Sequence, residues 1–155
     1  PITDETMTEP RRRRRVLFLC TGNACRSQMA EGWARHLHGD ALEARSAGVA
    51  PHGVDPVAVA VMAEAGVDIS EHRSKHVDEL ADERFDAVVT VCDRAREACP
   101  TLPDAPLIIH RDFDDPPRLA SDSGPGEALD HYRRVRDEIR DFVRDLPRRL
   151  AEAGA

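Results

Sequence analysis

The chain predicts an α/β fold, a four-stranded parallel sheet with helices on both faces. Three observations carry this. Short apolar runs rich in Val, Ile, Leu and Phe recur at residues 16–20, 85–91 and 106–110. Stretches with helical spacing of apolar residues lie between them, bounded by Gly and Pro. The first run then passes through an eight-residue loop, CTGNACRS at 20–27, directly into an amphipathic helix.

Taken in order, residues 1–10 are polar and acidic without periodicity, the mark of disorder. The basic run at 11–15 reads as a solvated lead-in rather than a nucleic-acid or membrane contact, given the acidic residues before it. This divides the chain into a basic-ended tail, 1–15, and a single domain, 16–155. Residues 16–20 form the first strand. Residues 27–38 form the first helix, with Met29, Ala30, Trp33 and Leu37 inward. LEARSA at 42–47 is the second strand, and 48–55 a Gly- and Pro-punctuated loop. Pro56 suits the first turn of a second helix ending before Gly66. Residues 77–82 read as helical, FDAVVTV at 85–91 as the third strand, and 93–99 as a short helix stopped by Pro100. PLIIH at 106–110 is the fourth strand. A polar loop holding FDDPP and SDSGPG leads into a final helix, 127–151, that Pro147 is expected to bend or interrupt.

Composition narrows the function. The 155 residues suffice for one packed core. No apolar run has membrane length and no signal peptide opens the chain, so a cytoplasmic protein without membrane contact is expected. The net charge of −7 speaks against nucleic acid. Four cysteines in a reducing compartment point to catalysis, redox work or metal rather than a structural framework.

The loop at 20–27 carries the chemistry. A strand, a tight loop and a helix place the amides of Thr21, Gly22, Asn23, Ala24, Cys25 and Arg26 around a helix N-terminus, a ready anion site. Gly22 permits a tight turn and Asn23 tolerates a left-handed one. Arg26 can grip two oxygens of a tetrahedral oxyanion. Cys20 lies beneath them, where the same field is expected to lower its pKa. Ser27 is placed to hydrogen-bond the thiolate. A buried strand-end Cys with a surface Arg is the plainer reading, but it leaves the spacing of the other loop residues without a purpose.

C-x-x-x-x-x-R-S after a strand resembles the loop of low-molecular-weight protein tyrosine phosphatases, and CTGNACRSQMAEG is more similar to the thioredoxin-coupled arsenate reductases of that fold. The resemblance spans about 16–143 and implies strand order 2-1-3-4. It implies Asp115, in HRDFDDP, as general acid in preference to Asp114. It also implies a potassium site in many members, whose ligands match Asn23, Glu31 and Ser46. The fourth position holds Lys75, the chain's only lysine, where such members carry Asp. Its ammonium is therefore expected near Asn23 and Glu31, in the cation's place. His72, close by, is either a helper for the oxyanion or a surface residue.

Two more cysteines, Cys92 and Cys99, lie seven residues apart in CDRAREACP. Across a helix their Cα atoms would be roughly 10 Å apart at about 1.5 Å per residue, whereas a disulfide needs about 7 Å or less. Cys20 and Cys92 end neighbouring parallel strands about 4.8 Å apart and can bond. A relay follows, first Cys20–Cys92 and then Cys92–Cys99, as the helix loops out. The resemblance implies the same sequence of events, with thioredoxin as reductant and arsenate as substrate. No flavin, nicotinamide or metal is then required, and a monomer is expected. Cys25 is read as packing. Two other functions remain on the residues alone: a tyrosine phosphatase, which needs no relay, and a thiol-based arsenite or metal binder, which needs three convergent thiols.

Overall fold

The computed structural model describes residues 13–99 and 106–154. Its four strands are β1 (Arg14–Cys20), β2 (Leu42–Gly48), β3 (Ala87–Thr90) and β4 (Leu107–His110), all parallel and in the order β2-β1-β3-β4. The helices are α1 (Arg26–His38), α2 (Pro56–Glu64), α3 (Asp93–Glu97), α4 (Pro116–Ser121) and α5 (Pro125–Glu152), with a 3-10 turn at Val77–Leu80. No described helix is long and apolar enough to cross a membrane.

β1 is central because its side chains can be buried on both faces: Val16, Leu17, Phe18 and Leu19 are wholly inaccessible. It pairs with β2 up to Cys20↔Gly48 and with β3 up to Leu19↔Thr90. Gly48 is needed there, since a Cβ would lie 2.5 Å from the Thr21 carbonyl oxygen. The carboxyl ends of the two middle strands thus meet, as ligand sites in open parallel sheets require.

Several boundaries differ from the sequence reading. The tail residues 1–12 lie outside the described residues, but Arg14 and Arg15 already belong to β1. The Arg15 amide donates to Asp86 Oδ2 at 2.7 Å, and its guanidinium pairs with Glu83 and covers the Phe85 ring. Residues 77–82 form only the 3-10 turn, capped by His76 Nδ1 accepting from the Asp78 amide. The polar loop after β4 contains α4, opened by Pro116 and Pro117 in the first turn, where no N–H is needed.

Pro147 does not interrupt α5. A helix-interior proline withholds the N–H that would serve the carbonyl four residues back. That carbonyl belongs to Val143, and His38 Nε2, on the last residue of α1, lies 3.0 Å from it. The orphaned acceptor is thus supplied from a neighbouring helix. Trp33 Nε1 donates to the Arg136 carbonyl at 3.1 Å one stretch further along the same contact.

Candidate active site

The apolar β1 delivers Cys20 to a position 3% exposed, and the loop folds back over it. Asn23 takes φ 48°, the left-handed conformation an Asn tolerates, and is fully buried. Its amide N–H points at Cys20 Sγ at 3.2 Å, and its side-chain Nδ2 donates to Ser27 Oγ at 2.7 Å. Ser27 Oγ lies 2.8 Å from Cys20 Sγ. Asn23 Oδ1 accepts from the Lys75 amide at 2.9 Å and from Gln28 Nε2 at 3.0 Å. The left-handed turn is therefore held from four directions.

The expected lowering of the Cys20 pKa is not found. Burial of the sulfur pushes the thiol above its ordinary value, and the opposing pull of Ser27, Arg26 and the Asn23 amide does not overcome it. Cys25 is 3% exposed. Burial raises its thiol well above the ordinary range, and the field of Asp55 adds to this.

A cleft of about 550 Å³ opens over the loop, lined among others by Cys20, Arg26, His52, Arg94, Asp115 and Tyr132. Arg26 Nη1 donates to the Phe113 carbonyl at 2.8 Å, and Nη2 stands 3.9 Å from Asp115 Oδ1. The arginine is thereby tied to the segment that carries the acid. Asp115 precedes α4 without capping it, which leaves its carboxylate to the cleft. Asp114 turns away to Arg134 at 2.9 Å. The Gly22 and Ala24 carbonyls accept from the His52 and Asp55 amides. A Cβ at Gly22 would lie 2.4 Å from the ring of the exposed His52, which would have to swing aside. On the far wall the Tyr132 hydroxyl donates to Asp55 Oδ2 at 2.6 Å, and Asp55 Oδ1 caps α2 at the Val57 amide.

Cys92 lies two residues beyond the last β3 residue and directly before α3. Its sulfur is 3.3 Å from Thr21 Oγ1, so Thr21 links the relay segment to the loop. Cys92 is buried and Cys99 half-buried, and all four thiols are free. Burial also raises the Cys99 thiol.

Of the supporting residues, Glu31, His72 and Lys75 line a second cleft of about 460 Å³. Glu31 accepts from Ser46 Oγ at 2.5 Å and pairs with Arg35 Nη2 at 2.6 Å. Here the expectation for Lys75 is corrected. Its backbone amide, not its ammonium, reaches Asn23, and the ammonium donates to the Arg73 carbonyl at 3.4 Å. Lys75 is 9% exposed, and burial lowers its pKa although Glu31 attracts it. The site does not fit a potassium ion. Asn23 Oδ1 is occupied by two donors, the Ser46 hydroxyl by Glu31, and Arg35, Arg45 and Arg73 line the cleft beside Lys75.

His72 is neither a surface residue nor in reach of the oxyanion loop. Its Nδ1 lies 2.9 Å from Gln28 Oε1, and burial lowers its pKa against the pull of Glu31. Gln28, fully buried, bonds the Asn23 and Arg73 carbonyls besides Asn23 Oδ1, and connects the two clefts. The sequence reading gave Gln28 no role, because an amide within a helical stretch looks like a solvated face. Tyr132 and Asp55 were missed likewise, each being ordinary at its own position.

The low molecular weight phosphotyrosine protein phosphatase family model matches residues 15–155. An arsenate reductase of Halalkalibacterium halodurans is 46% identical over 124 residues, 80% of this chain and 88% of that protein. The structure of an arsenate reductase in its oxidized state is similar with a TM-score of 0.74 at 28% identity, covering 88% of this chain and 98% of the other. A low molecular weight protein tyrosine phosphatase from T. tengcongensis gives a TM-score of 0.68 at 31% identity, with 88% and 99% covered. On its loop, its sheet order and these matches, the chain belongs to the low molecular weight phosphotyrosine protein phosphatase family, and its relatives within it include arsenate reductases.

Proposed function

We propose that the protein is a cytoplasmic, monomeric arsenate reductase whose electrons pass through Cys20, Cys92 and Cys99 and are resupplied by thioredoxin. One observation carries the reading: Cys92 Sγ lies 3.3 Å from the hydroxyl of Thr21, the residue that follows Cys20 in an arginine-bearing anion loop, with Cys99 seven residues further on.

Arsenate enters the loop, held by its amides and by Arg26. The raised Cys20 thiol gives its proton to an arsenate oxygen, and the sulfur attacks arsenic. An As–S bond forms, and one hydroxyl leaves as water with a proton from Asp115. Ser27 and the Asn23 amide stabilise the sulfur's charge on the way. Cys92 thiolate then attacks Cys20 Sγ. The S–S bond forms, the S–As bond breaks, and its electron pair stays with arsenic, which leaves as arsenite. Cys99 thiolate attacks the Cys92 sulfur and frees Cys20, and a thioredoxin dithiol reduces the Cys92–Cys99 bond. Gln28, His72 and the backbone amide of Lys75 act at a distance by holding Asn23.

Two other readings have less support. A tyrosine phosphatase would use the loop and Asp115 but leave Cys92 and Cys99 idle. Tyr132 is the one Phe, Tyr or Trp among the described residues lining the cleft. An arsenite or metal binder needs three thiols together, and among the described residues no three metal-ligating side chains converge. The test is thioredoxin-dependent arsenate turnover. Wild type is expected to turn over continuously. Cys99→Ser should complete one arsenite release and stop as a Cys20–Cys92 disulfide, visible by mass spectrometry. Sustained thioredoxin-coupled turnover by Cys99→Ser would overturn the relay.

A further inference from the structure

His110 is the last residue of β4 and the ladder partner of Thr90 on β3. Its ring bridges two groups. Nδ1 lies 2.8 Å from Thr90 Oγ1, and Nε2 lies 3.0 Å from Asp93 Oδ1, on the first residue of α3. A carboxylate only accepts, so Nε2 carries the proton and Nδ1 accepts from the Thr90 hydroxyl. Thr90 is fully buried, so this Thr-His-Asp row offers no accessible nucleophile. Its meaning lies in its placement: Thr90 and Asp93 bracket Cys92 in the chain.

The two sides of Cys92 are held very differently. Upstream, the Val91 amide donates to the Leu19 carbonyl at 2.9 Å, and the Val91 carbonyl accepts from the Phe113 amide at 3.2 Å. Downstream, α3 is five residues long and Ala95 is its one buried side chain. Unwinding α3 therefore sacrifices little burial. Cys92 is the joint between a fixed strand and a weakly held turn.

We propose that His110 is a positioning residue for the thiol relay: its ring, pinned between Thr90 and Asp93, holds the start of α3 so that Cys92 stays against Thr21 of the oxyanion loop while the residues beyond Asp93 unwind. The inference rests on the relay reading above. Without the pin, the hinge moves upstream into Cys92 itself, and the sulfur loses its alignment for in-line attack on the Cys20 adduct.

The experiment uses the full chain with Cys99→Ser, which stops the relay after its first disulfide. Reduced protein is mixed with arsenate, quenched with acid at intervals, and the Cys20–Cys92 disulfide is quantified by mass spectrometry. Adding His110→Ala is expected to slow disulfide formation by about fivefold, the scale of one partly exposed charge-assisted bond. Asp93→Ala removes the same bond from its exposed side and is expected to slow the step equally, with no further loss in the double variant. His110→Gln, whose amide still reaches Asp93, is expected to restore most of the rate, and His110→Asn is not. Hydrolysis of nitrophenyl phosphate, which does not use Cys92, serves as the readout a general structural defect would move. Equal disulfide rates with and without His110, or equal losses in both reactions, overturn the inference alone. Failure of the Cys99→Ser background to form a Cys20–Cys92 bond overturns the relay reading, and this inference with it.

Discussion

The Ser27 hydroxyl faces the Cys20 sulfur at 2.8 Å, and since its oxygen already accepts from Asn23 Nδ2, its proton is free to point at that sulfur. Ser27→Ala removes a donor from a buried, incipient thiolate. The thiol, already raised by burial, should rise further. A charge-assisted bond of about 1.5–3 kcal/mol corresponds to a rate loss of roughly 10- to 100-fold. Alkylation of Cys20, followed with the other three cysteines changed to Ser, checks this. In the parent the rate should still climb with pH above the ordinary thiol range near pH 8.5. A plateau below neutrality would contradict the raised thiol.

Stability should fall at alkaline pH. Cys20 and Cys25 both have raised pKa values in the fold, chiefly through burial. A raised group binds its proton more tightly folded than unfolded. Its contribution is complete below the unfolded pKa and is lost as pH rises through the folded one. The loss should therefore begin above about pH 8.5. Melting temperatures measured from pH 7 upward should decline there, and Cys25→Ala should flatten the decline. An unchanged slope would show that Cys25 ionises as freely as in the unfolded chain.

Arg26 is tied to both the Phe113 carbonyl and the side of Asp115. Arg26→Lys keeps the charge but loses the planar fork, so kcat/KM for arsenate should fall by about 100-fold or more. Asp115→Asn should reduce arsenate reduction and nitrophenyl phosphate hydrolysis together, by about 100-fold. Asp114→Asn, whose side chain serves Arg134, should alter neither beyond about twofold. Steady-state kinetics on both substrates separates these outcomes.

Lys75 yields a prediction that its geometry has changed. Glu31 keeps Arg35 and Ser46 when Lys75 is removed, and the buried ammonium carries its own desolvation cost. Lys75→Met should thus shift stability by about 1 kcal/mol or less in either direction. Turnover of the wild type should be equal in potassium and sodium at matched ionic strength. Lys75→Asp leaves Asn23 Oδ1, Ser46 and the three cleft arginines engaged as before and should not make activity prefer potassium. Selective potassium activation of the wild type would show that the cleft beside Glu31 takes up the ion after all.

The first strand and the oxyanion loop were legible because both are written locally, whereas the strand order came only through the family resemblance. A short, wholly apolar run such as residues 16–19, closed by a turn, reads as a strand buried on two sides, and Cys, Asn, Arg and Ser at fixed spacing describe one turn. Even the left-handed Asn23 follows from residue type. Partner choice is written nowhere locally. His72 and His110 are unremarkable in sequence, and only packing against Gln28 and Asp93 gives each a direction. The Cys20 pKa was misjudged for a related reason: the donors are visible in the loop, but the burial that opposes them is set by the rest of the sheet. Pro147 was judged by its missing N–H, without His38 in view.

That last pair has a mechanical consequence. α1 starts at Arg26, in the oxyanion loop, and ends at His38, some twelve residues and about 18 Å away. A helix is stiff along its axis but free to roll about it unless its far end is gripped. The carbonyl vacated by Pro147 receives His38, so the end of α1 remote from the oxyanion loop is fastened to α5, as Trp33 fastens its middle. The proline that ought to weaken α5 thereby supplies the acceptor that joins it to the helix rising from the oxyanion loop.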